Sequence, residues 1–258
     1  MRPTDLLYRL YERRLAADLR RRGGLPHHVG VILDGNRRWA RELGMGSAEG
    51  HRRGAAQIDH LLAWARELGI PVVTLWLLST ENLLQRHPDE LAELLAIIEA
   101  KVVQLASEAA PDGYRVVPVG QLEALPERTR STLQAAAAAS RAATGGTLHV
   151  AVGYGGREEI ADAVRRLLAE YRDKDLELAE AASLVTPDEI ARHLYTAGVP
   201  DPDLIIRTSG EVRLSGFLLW QSAHAEYYFA DTYWPDFRKV DFLRALRSYA
   251  QRRRRFGR

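Results

Sequence analysis

Residues 29–43 read VGVILDGNRRWAREL, and the pattern of this stretch changes twice. The apolar run at its start predicts a buried β-strand over 29–33. Asp34, Gly35 and Asn36 are residue types that end strands in turns. The basic segment that follows predicts a helix from about 37 to 43. The stretch therefore predicts a strand–turn–helix unit whose turn carries charge.

The rest of the chain repeats this alternation of strands and helices. Further strands are predicted at 72–78, 115–119, 147–153, 203–207 and 217–221. Further helices are predicted within 1–24, at 51–68, after Pro88, at 126–143, 156–171 and 186–198, and from about 240 to the C-terminal tail. This order predicts an α/β fold, a single domain over 1–258 with a mostly parallel central sheet flanked by helices. Ligands of such sheets bind at the carboxyl ends of the strands, here after Leu33, Leu78, Gly153 and Arg207.

Composition narrows the class of function. The 258 residues carry a net charge of only +2, so we expect no nucleic-acid partner. The absence of cysteine excludes disulfides, iron–sulfur clusters and cysteine-based zinc sites. No apolar run approaches the roughly 18 residues of a membrane span, and residues 1–15 lack the apolar core of a secretory signal. We therefore expect a cytoplasmic protein. The basic runs near both termini fit either a solvated surface or contact with an anionic membrane face.

The loop after the first strand combines an acid with arginines. A helix N-terminus beside Arg37 and Arg38 suits a phosphate group. Asp34 fits such a site if a hard cation such as Mg²⁺ lies between the two anions. The alternative is that Asp34 only caps the helix, and the spacing leaves both interpretations open.

Two other loops carry polar side chains. The segment Ser79-Thr80-Glu81-Asn82 is either a helix-capping cluster or a hydrogen-bonding patch over a substrate. The arginines and hydroxyls of 207–215 suit phosphate oxygens. Glu226 is either a solvated turn residue or a metal ligand. The segment 153–157 lacks the spacing of a dinucleotide-binding loop and is interpreted as structural. A diphosphate with an apolar tail would suit both these loops and the apolar strands between them.

Four motifs in this order resemble the cis-prenyltransferases, also called isoprenyl or undecaprenyl diphosphate synthases. They are HVGVILDGNRRWA at 28–40, LLSTEN at 77–82, RTSGEVRLSGFLLWQSAHAE at 207–226 and RRFG at 254–257. The likeness is nearest to short-chain actinobacterial members that make Z,E-farnesyl diphosphate. It implies an apolar substrate tunnel, a homodimer, and Mg²⁺-dependent condensation of isopentenyl diphosphate with an allylic diphosphate such as geranyl diphosphate. A medium- or long-chain synthase for a cell-wall lipid carrier is the alternative, and peripheral contact with the inner membrane face is a further expectation.

The resemblance also implies roles for individual residues. Asp34 corresponds to the essential aspartate that handles Mg²⁺, and Glu226 to a second metal ligand. Asn82 and Ser79 correspond to the patch where the isopentenyl group loses its proton; an amide is a poor base, so we expect Asn82 to position the substrate. Substrate contacts are implied for Gly35, Asn36, Arg37, Arg38, Trp39, His51, Thr80, Glu81, Arg86, Arg207, Arg213 and Ser215, and for Arg255 and Gly257 of a terminal R-x-G motif completed across the dimer.

Two departures from the family pattern matter. Ser47 stands where the family often has arginine, so one phosphate contact is either missing or replaced by Arg41 or Arg52. Leu77, next to Trp76, stands where long-chain members usually have alanine. The larger side chain cannot be absorbed in a close-packed interior without strain. Leu77 is therefore expected to stop elongation early if it faces the tunnel, and is otherwise an ordinary core residue.

Overall fold

The computed structural model describes residues 3–109 and 112–253. At its centre lies one sheet of six strands, and every pair of neighbouring strands is parallel. The strands are β1 (His28–Ile32), β2 (Val72–Ser79), β3 (Tyr114–Val119), β4 (Gly146–Tyr154), β5 (Leu204–Arg207) and β6 (Glu226–Phe229). Their order across the sheet is β3-β4-β2-β1-β5-β6. The predicted α/β class and parallel sheet are confirmed.

Helices connect the strands and cover the sheet. They are α1 (Pro3–Arg22), α2 (Asn36–Glu42), α3 (Ser47–Glu67), α4 (Thr80–Gln85), α5 (Pro88–Ser107), α6 (Glu127–Ala139), α7 (Gly156–Asp173), α8 (Leu178–Leu184), α9 (Pro187–Ala191) and α10 (Lys239–Arg253). The sequence missed the short helices α4 and α8. The helix predicted over 186–198 ends at Ala191, where single hydrogen-bonded turns replace it.

The two faces of the sheet are covered differently. The larger apolar core packs α1, α3, α5, α6 and α10 against residues such as Val31 and Leu75. The opposite face carries a smaller core that includes Ile32, Tyr154 and Phe217. Neighbouring residues of β1 thus serve different cores, because successive side chains of a strand point to opposite faces. Strands buried on both sides explain why the apolar runs of the sequence are continuous.

The predicted strand at 217–221 is wrong. Gly216 and Leu218 have φ values of 92° and 46°, which are incompatible with an extended strand. Phe217 N–H donates to the carbonyl of Leu214, and Ser222 N–H donates to that of Leu218, so the segment is a series of turns. Phe217 and Leu218 are nevertheless fully buried in the smaller core. The apolar run of the sequence therefore indicates burial here, but it does not indicate an extended backbone.

The basic N-terminal helix packs on the body of the protein. Leu15 and Leu19 of α1 are buried in the larger core. Arg20 donates to the Glu67 carboxylate of α3 at 3.0 Å, and Arg247 of α10 donates to the Tyr11 hydroxyl at 3.1 Å. Within the described ranges, no helix combines the length and the apolar character that a membrane crossing requires.

Candidate active site

A cavity of about 1230 Å³ lies at the carboxyl ends of the strands. The loops after β1, β2, β4 and β5 form its polar wall, while α3 and α5 contribute apolar side chains. The predicted site residues that line it are Asp34, Gly35, Asn36, Arg37, Arg38, His51, Trp76, Leu77, Ser79, Thr80, Glu81, Asn82, Arg86, Arg207, Arg213 and Ser215. The fold thus brings residues from four separate segments to one chamber, and their individual roles stay predictions.

Asp34 lies at the centre of the polar wall. Its carboxylate accepts a hydrogen bond from Arg207 at 2.8 Å and another from Arg38 at 3.2 Å. Burial opposes the charged form, but these hydrogen bonds and charges outweigh it, so the pKa of Asp34 lies below its usual value. Asp34 is therefore a carboxylate at neutral pH, clamped between two guanidinium groups.

The backbone around Asp34 is equally fixed. Asp34 N–H donates to the Thr208 hydroxyl at 2.9 Å, and that hydroxyl donates to the Asp34 carbonyl at 2.7 Å. The alternative in which Asp34 caps the helix is wrong, because Gly35 is the N-cap of α2 and no side chain caps it. Gly35 has a φ of 103°, a conformation that only glycine adopts easily.

The loop after β5 supplies the partners of Asp34. Arg207 is buried, with 6% of its side chain exposed, and also donates to the Ser215 hydroxyl at 2.8 Å. Ser209 accepts from Arg38 at 2.7 Å. Ser209 and Ser215 have φ values of 79° and 51°, rare for residues other than glycine. Such backbone strain is typical of functional loops, and here it aims both hydroxyls at arginines of the cavity.

A second basic cluster lies where α3 and α5 begin. Arg86 donates to the Glu90 carboxylate at 2.8 Å and to Nε2 of His51 at 3.3 Å, which leaves the ring hydrogen of His51 on Nδ1. Burial, with help from Arg86 and Arg37, lowers the pKa of His51 to about 4. His51 is therefore neutral at pH 7 and can donate one hydrogen bond into the cavity.

Two arginines of the cavity keep an unpaired buried donor. Among the described residues, the Nε–H groups of Arg86 and Arg207 find no hydrogen-bond acceptor, although only 10% and 6% of these side chains are exposed. An unsatisfied buried donor is costly and rare in proteins. Both positions are consistent with an anion as the missing partner.

Charge is concentrated in this chamber. Seven arginines line it against four carboxylates, while the whole chain has a net charge of only +2. Arg38 and Arg213 both pair with Glu211, at 3.0 and 2.6 Å. The surplus of arginine favours a ligand with more than one negative charge.

The loop after β2 both caps a helix and lines the cavity, so the two interpretations of 79–82 are compatible. Ser79 is the N-cap of α4, and its hydroxyl accepts the backbone N–H of Asn82 at 3.0 Å. Thr80 donates to the Gly153 carbonyl at 3.2 Å. All four residues of 79–82 also line the cavity. The capping bond uses a lone pair of Ser79, so its hydroxyl hydrogen stays available to a ligand.

An irregularity in β2 falls at Leu77. Trp76 pairs with Ala151 and Leu78 with Val152, so Leu77 is an extra residue without a partner in β4. Bulges of this kind redirect side chains and are over-represented beside active sites. Leu77 packs at the edge of the larger core and lines the cavity. Trp76 stacks on Phe217 of the smaller core, with ring centroids 5.3 Å apart.

Some predicted residues do not lie at the chamber. Trp39 donates its indole N–H to Asp236 at 2.9 Å and does not line the cavity. Glu226 begins β6 opposite Leu204, at the end of the sheet remote from Asp34, and its carboxylate accepts from Arg252 at 2.8 Å. Within one chain Glu226 therefore lies away from Asp34, and its role as a metal ligand stays a prediction. Arg255 and Gly257 lie outside the described residues.

Other residues that support or line the chamber were not named as site residues from the sequence. Glu211 and Ser209 hold Arg38, and Thr208 holds the backbone of Asp34. Arg157 lines the cavity, although its segment was interpreted as structural. Their position offered a signal, because each of these residues lies shortly after the carboxyl end of a strand. Of the two candidates for replacing the arginine at Ser47, Arg41 lines the cavity and Arg52 pairs with Glu93.

The carboxylates of the chamber fit Mg²⁺ only if the substrate supplies some of the metal ligands. The described residues contain no group of three His, Cys, Asp or Glu side chains placed to hold a metal ion. Magnesium in phosphoryl sites is commonly bound by one or two carboxylates together with substrate phosphates. Asp34 has lone pairs beyond its two arginine bonds and lies among arginines, so it fits an ion that is shared with a diphosphate.

Comparison with known proteins agrees with this geometry. A family model described as putative undecaprenyl diphosphate synthase matches residues 32–257. The chain belongs to this prenyltransferase family. A (2Z,6E)-farnesyl diphosphate synthase of Thermobifida fusca is 58% identical over 97% of both chains. A short-chain Z-isoprenyl diphosphate synthase of Mycobacterium leprae is 50% identical over 99% of this chain and 97% of that protein.

A solved structure shares the fold of this family member. The crystal structure of lavandulyl diphosphate synthase from Lavandula x intermedia, in complex with dimethylallyl diphosphate, matches with a TM-score of 0.80 and 35% identity. The match covers 88% of this chain and 95% of that chain. The resemblance to cis-prenyltransferases that the four sequence motifs indicated is thus confirmed.

Proposed function

We propose that this prenyltransferase condenses isopentenyl diphosphate with a short allylic diphosphate such as geranyl diphosphate, in the presence of Mg²⁺, to give a short product with a new cis double bond. The observation that carries the proposal is the two-part cavity. Its polar wall presents seven arginines, and its other wall is apolar. A diphosphate group and a prenyl tail each match one part. The names of the relatives from Thermobifida and Mycobacterium support a short product.

In this proposal the loop of β1 holds the allylic diphosphate. Ionisation of the allylic C–O bond places negative charge on the leaving diphosphate. Arg38 lies beside Asp34 and neutralises that charge as it forms. Asp34 would hold Mg²⁺, which when bound would supply additional charge neutralisation. In this proposal the negative charge of Asp34 attracts the metal ion, and the positive arginines attract the leaving diphosphate. Both therefore assist the same ionisation step.

The loop of β5 orients the isopentenyl diphosphate. Arg207 is fixed by Asp34 and Ser215, while Arg213 pairs with Glu211 but is largely exposed, so it can turn toward a phosphate. Holding the double bond near the allylic carbon is mainly an entropic contribution. The condensing group then loses a proton beside 79–82. Asn82 positions it, and the Ser79 hydroxyl or a diphosphate oxygen carries the proton away.

Product sizing tests this function. The protein is incubated with Mg²⁺, radiolabelled isopentenyl diphosphate and geranyl diphosphate, and the dephosphorylated products are separated by chain length. We expect a short product that contains one or a few added isopentenyl units, and none when Mg²⁺ is chelated. Mainly C50–C55 chains would contradict the short product and support a synthase for a cell-wall lipid carrier. The absence of any prenyl product would contradict the function itself.

Assembly and location are also proposals. A homodimer would bring the terminal R-x-G motif and Glu226 of one protomer near the chamber of its partner. Sedimentation of the wild-type protein tests this, and a strictly monomeric active enzyme would refute it. Peripheral contact with an anionic membrane would use the basic runs near the termini, and a vesicle flotation assay tests it.

A further inference from the structure

The apolar part of the cavity runs between two helices. α3 lines it with Ala55 and Ile58, and α5 lines it with Leu94, Ile97, Ile98 and Lys101. Both helices begin at the polar wall, where His51 and Arg86 meet. The ion pairs Arg52–Glu93 and Asp59–Lys101 show that the helices run side by side in the same direction. Distance along α5 is therefore a measure of depth in the cavity.

Lys101 is the deepest lining residue of α5. It lies seven residues beyond Leu94 and thirteen beyond Pro88, which corresponds to about 10 and 20 Å along the helix axis. Among the described residues of α5 that line the cavity, Lys101 is charged and the other three are aliphatic. Its side chain is only 7% exposed. A lysine at the inner end of an apolar wall needs an explanation.

The ammonium group of Lys101 is held by a polar cluster. Its Nζ lies 2.9 and 3.0 Å from the two carboxylate oxygens of Asp59 and donates to Gln104 Oε1 at 2.7 Å. Gln104 also reaches the Asp59 carboxylate at 3.4 Å. All three hydrogens of the ammonium group thus have an acceptor. The cluster joins α3 to α5 across the inner end of the cavity.

We propose that the Lys101–Asp59–Gln104 cluster is the floor of the apolar cavity and sets the maximum length of the prenyl chain. The inference rests on the proposed function, since it concerns the product of that reaction. A growing prenyl tail that reaches Lys101 cannot hydrogen-bond its ammonium group. To pass, the tail must push the buried Lys101 ammonium group away from its three acceptors, and an unpaired buried charge is unfavourable. Elongation therefore stops at this depth.

This floor is distinct from the constriction expected at Leu77. Leu77 lies only two residues before Ser79, where β2 ends at the polar wall, whereas Lys101 lies far along α5. The cavity continues past Leu77 to Lys101 with the leucine in place. Leu77 can narrow the entrance to the apolar part, while Lys101 ends it. A change at Lys101 alone should consequently lengthen the product.

Chain-length analysis of Lys101→Met and Lys101→Ala tests the floor. Methionine keeps most of the volume and removes the charge, and alanine also opens space. Asp59 is partly exposed and can be solvated when its partner is lost. We expect the main product of Lys101→Ala to grow by at least one isoprene unit, with a smaller change for Lys101→Met. The control is Glu93→Met, which breaks the exposed Arg52–Glu93 pair between the same helices and should leave the distribution unchanged.

Binding gives a second measurement that does not depend on turnover. Dissociation constants are measured for C10, C15 and C20 allylic diphosphates with wild type and both variants. We expect C20 affinity to rise at least about tenfold in Lys101→Ala while C10 affinity stays constant, because a few buried methylene groups provide that gain. If both Lys101 variants fold but keep the wild-type product lengths and the wild-type affinity for the C20 diphosphate, the proposal of a floor is overturned. A wild-type protein without prenyl product would instead overturn the proposed function, and the floor with it.

Discussion

The replacement Gly35→Ala tests whether the turn after β1 is as constrained as its geometry indicates. Gly35 has φ 103° and ψ −1°. A Cβ built there would lie 2.6 Å from Cδ1 of Tyr233, 3.1 Å from Cβ of Ser209 and 3.2 Å from Cα of Tyr233. A left-handed conformation costs an alanine about 1–2 kcal/mol. Forcing a methyl group into a packed site adds typically about 1–3 kcal/mol. Gly35→Ala should therefore lower the free energy of unfolding by about 2–5 kcal/mol.

The chain offers a matched control for this replacement. Gly44 follows the other end of α2 with a φ of 69°, and a Cβ there would have no neighbour within 4 Å. Gly44→Ala should cost only the conformational part, about 1–2 kcal/mol. The difference between the two variants isolates the clash with Tyr233 and Ser209.

Urea unfolding followed by circular dichroism measures both values, provided that the slope with urea concentration stays constant. We also expect Gly35→Ala to lose turnover, because Ser209 holds Arg38 at 2.7 Å and would be pushed aside. Gly44→Ala should keep the wild-type rate. Equal destabilisation by the two replacements, or a Gly35→Ala enzyme of normal stability and rate, would refute the reasoning.

Three further predictions follow from the site and the core. Asp34→Asn should reduce the Mg²⁺-dependent rate about 10²–10³-fold and also lower the melting temperature, because it leaves the buried Arg207 without its carboxylate partner; a near-normal rate would count against it. Leu77→Ala should widen the passage and shift the products of the sizing assay toward the longest chain that the Lys101 floor admits, and an unchanged distribution would exclude Leu77 from length control. Burial lowers the pKa of His28 and of His149 from 6.5 to about 4, so the unfolded state binds more protons between these values. Stability should be complete above pH 6.5 and fall as the pH drops toward 4, by up to about 3 kcal/mol for each histidine, as urea midpoints would show; a flat profile would contradict this.

The sequence predicts the central strands well because each is buried on both faces. Residues such as Val31 and Leu75 have no solvent-facing side, so the apolar run marks the strand and its end marks the loop. Once the strands are parallel, their carboxyl ends share one edge, and the loops after Leu33, Leu78 and Arg207 must meet. That topological rule, more than any motif, placed Asp34 beside Arg207.

The same reasoning fails where a segment is buried but its backbone is not extended. Phe217 and Leu218 are as buried as strand residues, but neighbouring positive φ values turn the backbone. The true edge strand β6 begins at Glu226, in a polar–aromatic stretch without an apolar run. Nothing in the sequence indicates that Glu226 begins a strand. A sequence does not show how deep in a cavity a residue lies, so nothing in it singles out Lys101.

The pairing of the chamber arginines bears on how the proposed reaction would be accelerated. Arg38 is shared by Asp34, Ser209 and Glu211, so a diphosphate must compete with groups that already satisfy it. This competition weakens the binding of the intact substrate, in which one diphosphate oxygen is esterified and carries no negative charge. It weakens the binding of the leaving diphosphate less, because that group gains charge as the C–O bond breaks. Only stabilisation that grows toward the transition state raises the rate of the chemical step. Carboxylates among the arginines of the chamber would thus favour the ionised state over the bound substrate in the proposed reaction.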